Sequence, residues 1–348
     1  MDDANYTVFV NSTDSFNFIP LNMRELDMIN VRIVFALSVA MNSTLIGMLI
    51  TERNEILHVY SRVLIINCIC DLFFTLVIFI TDFNAECFQG GFAILMGGPY
   101  SHWSYRAQVI GMLIYVFAFY LSIFVIPYIL YFRYCVIVRN IRLTNAQLLK
   151  LGLLPVFCAL ALSCTWTIGG LIYEPQVSCK EIFSHPMWTY NNATIENCFF
   201  AEGTNPFTLA YIAMTCILIN GGFFLIFFFI SSIFKELKQL KGVNAKSMRI
   251  QRQMNILLIT QLLAPLICAF IPISYACTST FLNTRINGAF VMFIMWMDWI
   301  PLINPLITIT LITSYRKRLF RYIVRCYEVI TFTKKIRQTS TTCPTSTL

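Results

Sequence analysis

The sequence predicts an all-α membrane protein: a bundle of seven transmembrane helices followed by a short cytoplasmic amphipathic helix. Of its 348 residues, 57% are hydrophobic and only 12% are charged, whereas a soluble domain has about 25% charged residues. Seven stretches are almost free of charge and close to the length of about 20 apolar residues that crosses a bilayer. They are residues 29–51, 63–81, 107–132, 151–173, 207–234, 254–278 and 287–313.

The spans divide the chain into four regions. Residues 1–28 form an N-terminal segment, 29–313 the transmembrane domain, 314–328 an interfacial helix and 329–348 a tail. The tail is rich in serine and threonine and poor in large apolar residues, which predicts disorder.

Lysine and arginine are distributed unequally between the two ends of the spans. Most of the 25 basic residues lie between spans one and two, three and four, or five and six, or after span seven. Cytosolic loops are the ones enriched in lysine and arginine, so the N-terminus is predicted to be extracellular and the C-terminus cytoplasmic. The same rule accounts for the net charge of +8 without a nucleic-acid partner. The five basic residues assigned to the other side are Arg24, Arg32, Arg106, Lys180 and Arg285.

The predicted extracellular segments carry features of an oxidising compartment. Asn5, Asn11 and Asn192 are Asn-X-Ser/Thr acceptors for glycosylation. Cysteines outside the spans can pair there. We predict a disulfide between Cys179 and Cys198, with Cys87 as a competing partner, because the sequence alone does not fix the pairing.

Three polar residues on spans one, two and seven lie at one depth when counted from the predicted cytosolic ends at about 1.5 Å per residue. They are Asn42, Asp71 and Asn304, and Asn67 lies one helical turn before Asp71. A buried acid needs partners. We therefore predict that Asn42, Asn67, Asp71 and Asn304 form one buried cluster whose rearrangement can accompany a conformational switch. It is called the polar switch cluster below. The alternative is that each residue forms hydrogen bonds locally.

The outer halves of spans three, five, six and seven suggest a ligand pocket. Small-molecule sites are mostly apolar with a few polar groups that fix orientation. The same aromatic residues could instead be ordinary helix packing or part of an interfacial belt. The predicted ligand-binding residues are Tyr115, Phe119, Tyr211, Thr215, Tyr275, Trp296 and Asp298.

The predicted cytosolic surface is basic in every segment. Such a surface attracts anionic lipids or an acidic protein partner. Residues 316–327 place their apolar side chains on one face of a basic helix, as expected of a helix lying in the membrane interface. The residues predicted to face a partner protein are Arg133, Tyr134, Lys235, Lys238, Arg249 and Arg252.

Nothing in the sequence favours an enzyme. The three histidines are scattered in loops, and no cluster of histidine, cysteine and acid has the spacing of metal ligands. We therefore predict no catalytic residue, cofactor or metal site. A transporter would more often show internal repeats, but a ligand-gated channel or a small-solute transporter stays the alternative function.

Four short motifs carry a resemblance to a receptor family. They are Gly98-Pro99 before span three, residues 131–134 (Tyr-Phe-Arg-Tyr), residues 261–265 (Gln-Leu-Leu-Ala-Pro) and residues 301–308, with Tyr315-Arg316 after them. Together they resemble nematode serpentine chemoreceptors, especially the Srd-like family of the Str superfamily of seven-transmembrane G-protein-coupled receptors. Two positions depart from the pattern: Tyr100 stands where a cysteine is common, and Thr308 stands near the place of the tyrosine of rhodopsin-like receptors.

The resemblance implies a function for the whole chain. Such a protein is expected to bind a small external molecule, an odorant or pheromone, and to activate a heterotrimeric G protein. Its partners would be that ligand, the G protein and the lipid bilayer. It is expected in the plasma membrane, in sensory cilia.

Overall fold

The protein is described by a computed structural model. It describes residues 22–52, 55–88, 91–97, 104–141, 143–172, 198–203, 205–239 and 288–322. It also describes isolated positions, among them Trp188 and several between 253 and 279. The side chains of 53–59 and of 237–239 are outside this description.

Within the described part of the chain, seven helices and three strands have defined bounds. The helices are α1 (Met23–Ile50), α2 (Glu55–Thr81), α3 (Tyr105–Ile137), α4 (Asn145–Ile172), α5 (Pro206–Gln239), α6 (Ala289–Met297) and α7 (Ile300–Leu311). The strands are β1 (Phe83–Phe88), β2 (Gly91–Met96) and β3 (Phe199–Glu202). Residues 313–322 are also helical.

The first five predicted spans are helices, each longer than the predicted apolar stretch. Among the described residues, these five helices are long and apolar enough to cross a membrane, and the pair α6 and α7 would make a sixth. Every described position of the predicted span 254–278 is helical, although the bounds of that helix lie outside the described residues.

The predicted seventh span, 287–313, consists of two helices. Helices α6 and α7 meet at Asp298 and Trp299 with a bend of 41°. Pro301 lies in the first turn of α7, and a proline ring clashes with the carbonyl four residues earlier. That carbonyl belongs to Met297, the last residue of α6. The bend therefore follows from the position of this proline.

A three-stranded antiparallel sheet adds to the predicted helical architecture. Strands β1 and β2 form a hairpin in which Phe83 pairs with Met96, and β3 pairs with the other edge of β2. A Cβ atom at Gly91 would lie 2.6 Å from the ring of Phe200 and 2.7 Å from the carbonyl oxygen of Ala201. Only glycine fits this contact between β2 and β3. The end of the bundle that carries the sheet is called the sheet end below, and the opposite end the basic end.

Helix α3 is the central helix of the described bundle. It packs against α2, α4 and α5 along its length and against β2 and β3 at the sheet end, while α1 packs against α2 and α7. Large apolar side chains remain on the outside, among them Phe157 at 70%, Ile217 at 71% and Phe224 at 72% exposure. Apolar surface of this extent is costly in water and is matched by lipid.

Candidate functional site

A cavity of about 140 Å³ lies in the sheet-end half of the bundle. Its walls come from α3, α4, α5 and α6, and one described residue of the predicted sixth span, Pro272, also contacts it. Strands β1 and β2 contribute Phe83, Ala85, Phe92 and Ile94. The two lining residues of each strand are two positions apart, because successive side chains of a strand point to opposite faces.

Aromatic rings hold the cavity walls together. The rings of Phe83 and Tyr115 stack with centroids 4.0 Å apart, which attaches β1 to α3. Trp166 of α4 contacts Tyr211 of α5 with a centroid separation of 4.5 Å. Such pairs stabilise by about 0.5–1.5 kcal/mol beyond the area they bury, so the walls are preorganised.

The cavity has few polar groups. The hydroxyl of Tyr120 forms hydrogen bonds with the Tyr211 hydroxyl at 2.7 Å and with Thr215 Oγ1 at 3.2 Å. The hydroxyl of Tyr115 and the indole N–H of Trp166 are buried without a hydrogen-bond partner. No aspartate, glutamate, lysine or arginine occurs among the described lining residues. The cavity can therefore hold an uncharged, mostly apolar molecule that accepts or donates one or two hydrogen bonds.

Four of the predicted ligand-binding residues, Tyr115, Phe119, Tyr211 and Thr215, line this cavity. The other three lie elsewhere. Tyr275 does not line the cavity, but its ring stacks on the lining residue Phe290 and contacts Phe293. Trp296 and Asp298 lie next to the bend before α7 and do not line this cavity.

Trp296 points away from the bundle and is 53% exposed, as expected of a lipid-facing residue. Asp298 is buried, and its carboxylate accepts a hydrogen bond of 3.4 Å from Asn30 Nδ2 on α1. Asn30 Oδ1 in turn accepts from the Trp299 indole at 3.0 Å. Asp298 thus joins α1 to the bend and leaves the cavity uncharged.

Several cavity residues were absent from the sequence prediction. The strand residues Phe83, Phe92 and Ile94 and the helix residue Trp166 line the cavity. Strand β2 offered no signal, because it is apolar at every position and its two faces cannot be distinguished by alternation. Strand β1 does alternate apolar and polar residues from Phe83 to Cys87, and this pattern could have placed Phe83 on the buried face. Trp166 is one of many large apolar residues on α4.

The polar switch cluster is assembled around Asp71. Its carboxylate accepts hydrogen bonds from Asn67 Nδ2 at 2.9 Å and from Asn304 Nδ2 at 3.1 Å. Asn42 joins through α7, because its Nδ2 donates to the carbonyl of Pro301 at 3.0 Å. That carbonyl lacks a helical donor, since residue 305 is also a proline and has no N–H. Asn42 replaces the missing donor.

Further residues complete this buried network. Ser38 and Thr75 share a hydrogen bond of 2.7 Å, and Thr75 donates to the Asp71 carbonyl at 2.7 Å. Gln261 Nε2 donates to Thr308 Oγ1 at 2.7 Å and to the Asn304 carbonyl at 3.3 Å. The described network therefore joins α1, α2, α7 and the predicted sixth span.

Arg133, which is predicted to face a partner protein, is buried near the basic end of the bundle. It is 1% exposed, and its guanidinium carbon lies 4.9 Å from the centre of the Tyr60 ring. Burial beside an aromatic face is favourable for a guanidinium that is separated from water. Tyr134 is partly buried and accepts a hydrogen bond of 3.2 Å from Arg139, while Lys235 is exposed. The side chains of Lys238, Arg249 and Arg252 lie outside the described residues.

The helix at 313–322 is attached to the end of α1. Arg318 Nη1 donates to the Met48 carbonyl and to Thr51 Oγ1, both at 3.0 Å. A cation is favourable there, because the last carbonyls of a helix carry partial negative charge. Tyr315 is fully buried at the same junction.

The predicted covalent features lie mostly outside the described residues. Cys198 is in a disulfide, whereas Cys179 is not described. The pairing of these two cysteines stays a prediction. Asn5, Asn11 and Asn192 are likewise outside the described part of the chain.

Comparison with known proteins supports this architecture. The crystal structure of squid rhodopsin superimposes with a TM-score of 0.64 over 89% of each chain, at 17% identity. This likeness shows the seven-helix fold. No curated protein matches the sequence. The profile of the serpentine type 7TM GPCR chemoreceptor Str family matches residues 28–320. The chain therefore belongs to the Str family of serpentine seven-transmembrane chemoreceptors.

Proposed function

We propose that the protein is a chemosensory receptor that binds a small uncharged molecule in the sheet-end cavity and activates a heterotrimeric G protein. The observation that carries this proposal is the aromatic cavity, which is buried in the bundle and has unsatisfied hydrogen-bonding groups on its wall. Membership of a chemoreceptor family supports the same function.

The cavity limits the ligand. An engineered apolar cavity of about 150 Å³ accommodates benzene, so a volume of about 140 Å³ fits a ligand of comparable size. A net charge on the ligand would stay unpaired against the described walls and would be costly to bury. An uncharged odorant or pheromone about the size of benzene meets both conditions.

The sheet end is the proposed outer end. A disulfide at Cys198 fits an oxidising exterior, and the basic residues near Arg318 fit the cytosolic face. In this orientation the N-terminus is extracellular and the C-terminus cytoplasmic. The receptor would operate in the plasma membrane of sensory cilia.

Ligand binding can activate the receptor only by favouring one conformation over another. Helix α3 contacts the cavity through Tyr115 and carries Arg133 at its other end. Helix α6 contacts the cavity through Ile294 and Met297, next to the bend before α7. A ligand that changes the position of α6 would therefore act on the polar switch cluster, which includes Asn304 of α7.

Expression in cells with a G-protein readout and a panel of uncharged odorants tests this function. Tyr115→Phe keeps the stacked ring and removes the hydroxyl, so a ligand that bonds to it should lose about 0.5–1.5 kcal/mol, or about two- to tenfold in potency. Trp296→Phe, on the outer face of α6, is the matched control and should leave potency unchanged. A ligand-evoked current that persists in cells without any G protein would contradict the receptor assignment.

A further inference from the structure

A pair of buried carboxyls holds the hairpin against α1 at the sheet end. Asp27 of α1 is 0% exposed, and Asp82, between α2 and β1, is 5% exposed. Asn84 of β1 is also fully buried and donates from Nδ2 to Asp27 Oδ2 at 2.8 Å and to the Asp82 carbonyl at 3.2 Å. The same carbonyl accepts the N–H of Gly97 at 2.8 Å. The two acids therefore lie at the point where both strands of the hairpin join the bundle.

The oxygen atoms at this point lack hydrogen-bond donors. Asp27 Oδ1, Asp82 Oδ1 and Asn84 Oδ1 are all buried without a donor. The carboxyls of Asp27 and Asp82 lie within hydrogen-bonding reach of each other. Two ionised carboxylates cannot form a hydrogen bond, because neither has a hydrogen to donate. One proton on the pair would supply the donor for a hydrogen bond between the two carboxyls.

The surrounding charges also favour a proton at this site. Arg24 and Arg32 of α1 act on Asp82, and Asp298 interacts with both Asp27 and Asp82. Asp27, Asp82 and Asp298 repel one another when ionised, which favours a proton within this group of carboxyls. Burial raises the pKa of Asp82, and the hydrogen bond with Asp27 and the two arginines oppose this change. Glu86, two residues after Asn84 on β1, has its own hydrogen-bond donor, because it accepts the N–H of Gly288 at 3.1 Å.

The pair of carboxyls, Asp27 and Asp82, is connected to the cavity. The hydroxyl of Tyr115 is buried without a hydrogen-bond partner, and the charges of Asp298 and Asp27 act on it. The Tyr115 ring stacks on Phe83, which lies between Asp82 and Asn84 in the chain. A change in charge at the carboxyl pair would therefore change the electrostatic potential at Tyr115 and the position of Phe83 in the cavity wall.

We propose that Asp27 and Asp82 form a proton-binding site that fastens the hairpin to α1, and that external protons are a second ligand of this receptor. The inference rests on the proposed function only in placing the sheet end outside the cell. Loss of the proton leaves two like charges buried side by side. The hairpin then loosens over the cavity, and the small-molecule ligand binds less well.

The first test needs neither ligand nor G protein. The folded chain holds a proton that the unfolded chain has released, so the stability of the purified full-length receptor should fall as the pH rises above about 4, the ordinary pKa of an aspartate, until the folded site has lost its proton. The unfolding equilibrium should change by up to about tenfold per pH unit while the site titrates. Asp82→Asn should abolish this dependence, because asparagine donates a hydrogen bond at every pH. Asparagine also tolerates the positive φ of 44° at this position.

Glu25→Gln is the matched control, since Glu25 is an exposed acid in the first turn of the same helix. It should keep the wild-type pH profile. Infrared difference spectra between low and high pH supply a direct readout: the wild type should lose part of its protonated-carboxyl band as the pH rises, and this loss should be absent in Asp82→Asn. If Asp82→Asn does not fold, Asp27→Asn is used in both measurements.

A wild-type pH slope in the asparagine variant would overturn the proposal. So would a sodium or calcium ion that stabilises the wild type at constant pH and removes its pH dependence, because the site would then bind a metal cation. In cells, ligand potency should fall with rising external pH in the wild type and stay constant in Asp82→Asn. Failure of every cellular response, with the pH-dependent infrared loss present, would contradict only the proposed receptor function.

Discussion

Asp71 illustrates how a single residue is accommodated inside an apolar bundle. Asp71 is 1% exposed. The side-chain amides of Asn67 on α2 and Asn304 on α7 donate to its carboxylate. A buried carboxyl is tolerated because hydrogen bonds replace its hydration. Asn304, its partner on α7, is itself hydrogen-bonded: the uncharged Thr308 donates to the Asn304 carbonyl.

Replacement of Asn304 by alanine should destabilise the protein through Asp71. The carboxylate loses one of its two amide donors, and an unsatisfied buried polar group costs about 1–3 kcal/mol. Thermal unfolding of the purified receptor in detergent would measure this loss. Thr310→Ala is the control on the same helix, because Thr310 is exposed and bonds only to carbonyls of its own helix. Equal effects of the two substitutions would contradict the assignment of the buried network.

At the scale of the elements, prolines determine the shape of the path from α6 to α7. Pro301 explains the bend, and Pro305 leaves the Pro301 carbonyl without a helical donor. Asn42 supplies that donor from α1. The break in the helix is therefore stabilised by a neighbouring helix, as irregular backbone inside a membrane requires.

A double-mutant cycle tests this compensation. Asn42→Ala should cost about 1–3 kcal/mol, because the Pro301 carbonyl is left unsatisfied. In a Pro305→Ala background the backbone N–H of residue 305 can reach that carbonyl. Asn42→Ala should then cost clearly less. Unfolding measurements on the four proteins give the coupling energy, and strictly additive effects would show that Asn42 does not substitute for the missing donor.

The sheet depends on one glycine. Gly91→Ala would place a Cβ atom within 2.7 Å of the Ala201 carbonyl oxygen and close to the Phe200 ring. Strand β3 would have to move away, so we expect lower stability and a weaker ligand response. Gly152→Ala in α4 is the control, since a Cβ atom there meets nothing within 4 Å and should stabilise the helix by up to about 1 kcal/mol. A similar outcome for both variants would exclude the close contact as the cause.

For the whole molecule, the described residues form two large apolar clusters and a smaller third one around Trp188 at the sheet end. Of the two large clusters, one surrounds the cavity at the sheet end, and the other surrounds Tyr60, Phe132 and Tyr315 at the basic end. The polar switch cluster and Arg133 depend on helices from both regions. A receptor needs two packing arrangements of similar free energy, and hydrogen bonds between helices can exchange partners without exposing apolar surface to water.

Tyr60 should restrain signalling from the basic end. Its ring covers the buried guanidinium of Arg133, and a desolvated contact of this kind stabilises by about 2 kcal/mol. Tyr60→Leu should release Arg133 and raise basal G-protein activation by up to about 30-fold, as 1.4 kcal/mol corresponds to tenfold. Tyr60→Phe retains the aromatic face and should stay near the wild type. Unchanged basal activity in Tyr60→Leu, at equal surface expression, would refute this role.

The sequence by itself determined the membrane class, the positions of the first five spans and the depth at which Asn42, Asp71 and Asn304 meet. Each of these follows from hydrophobicity or from counting along a helix, which are local properties of the chain. The family resemblance was also readable from short motifs, and the Str family profile agrees with it at the level of the superfamily.

Only the tertiary structure decided the sheet, the boundary of the cavity and the direction of the side chains around the bend. Strand pairing joins residues as distant as Gly91 and Glu202, so no local pattern encodes it. Trp296 and Asp298 lie two residues apart and point to lipid and to α1, respectively. Their directions depend on how α6 is rotated and where it ends, and packing against α1 and β1 sets both.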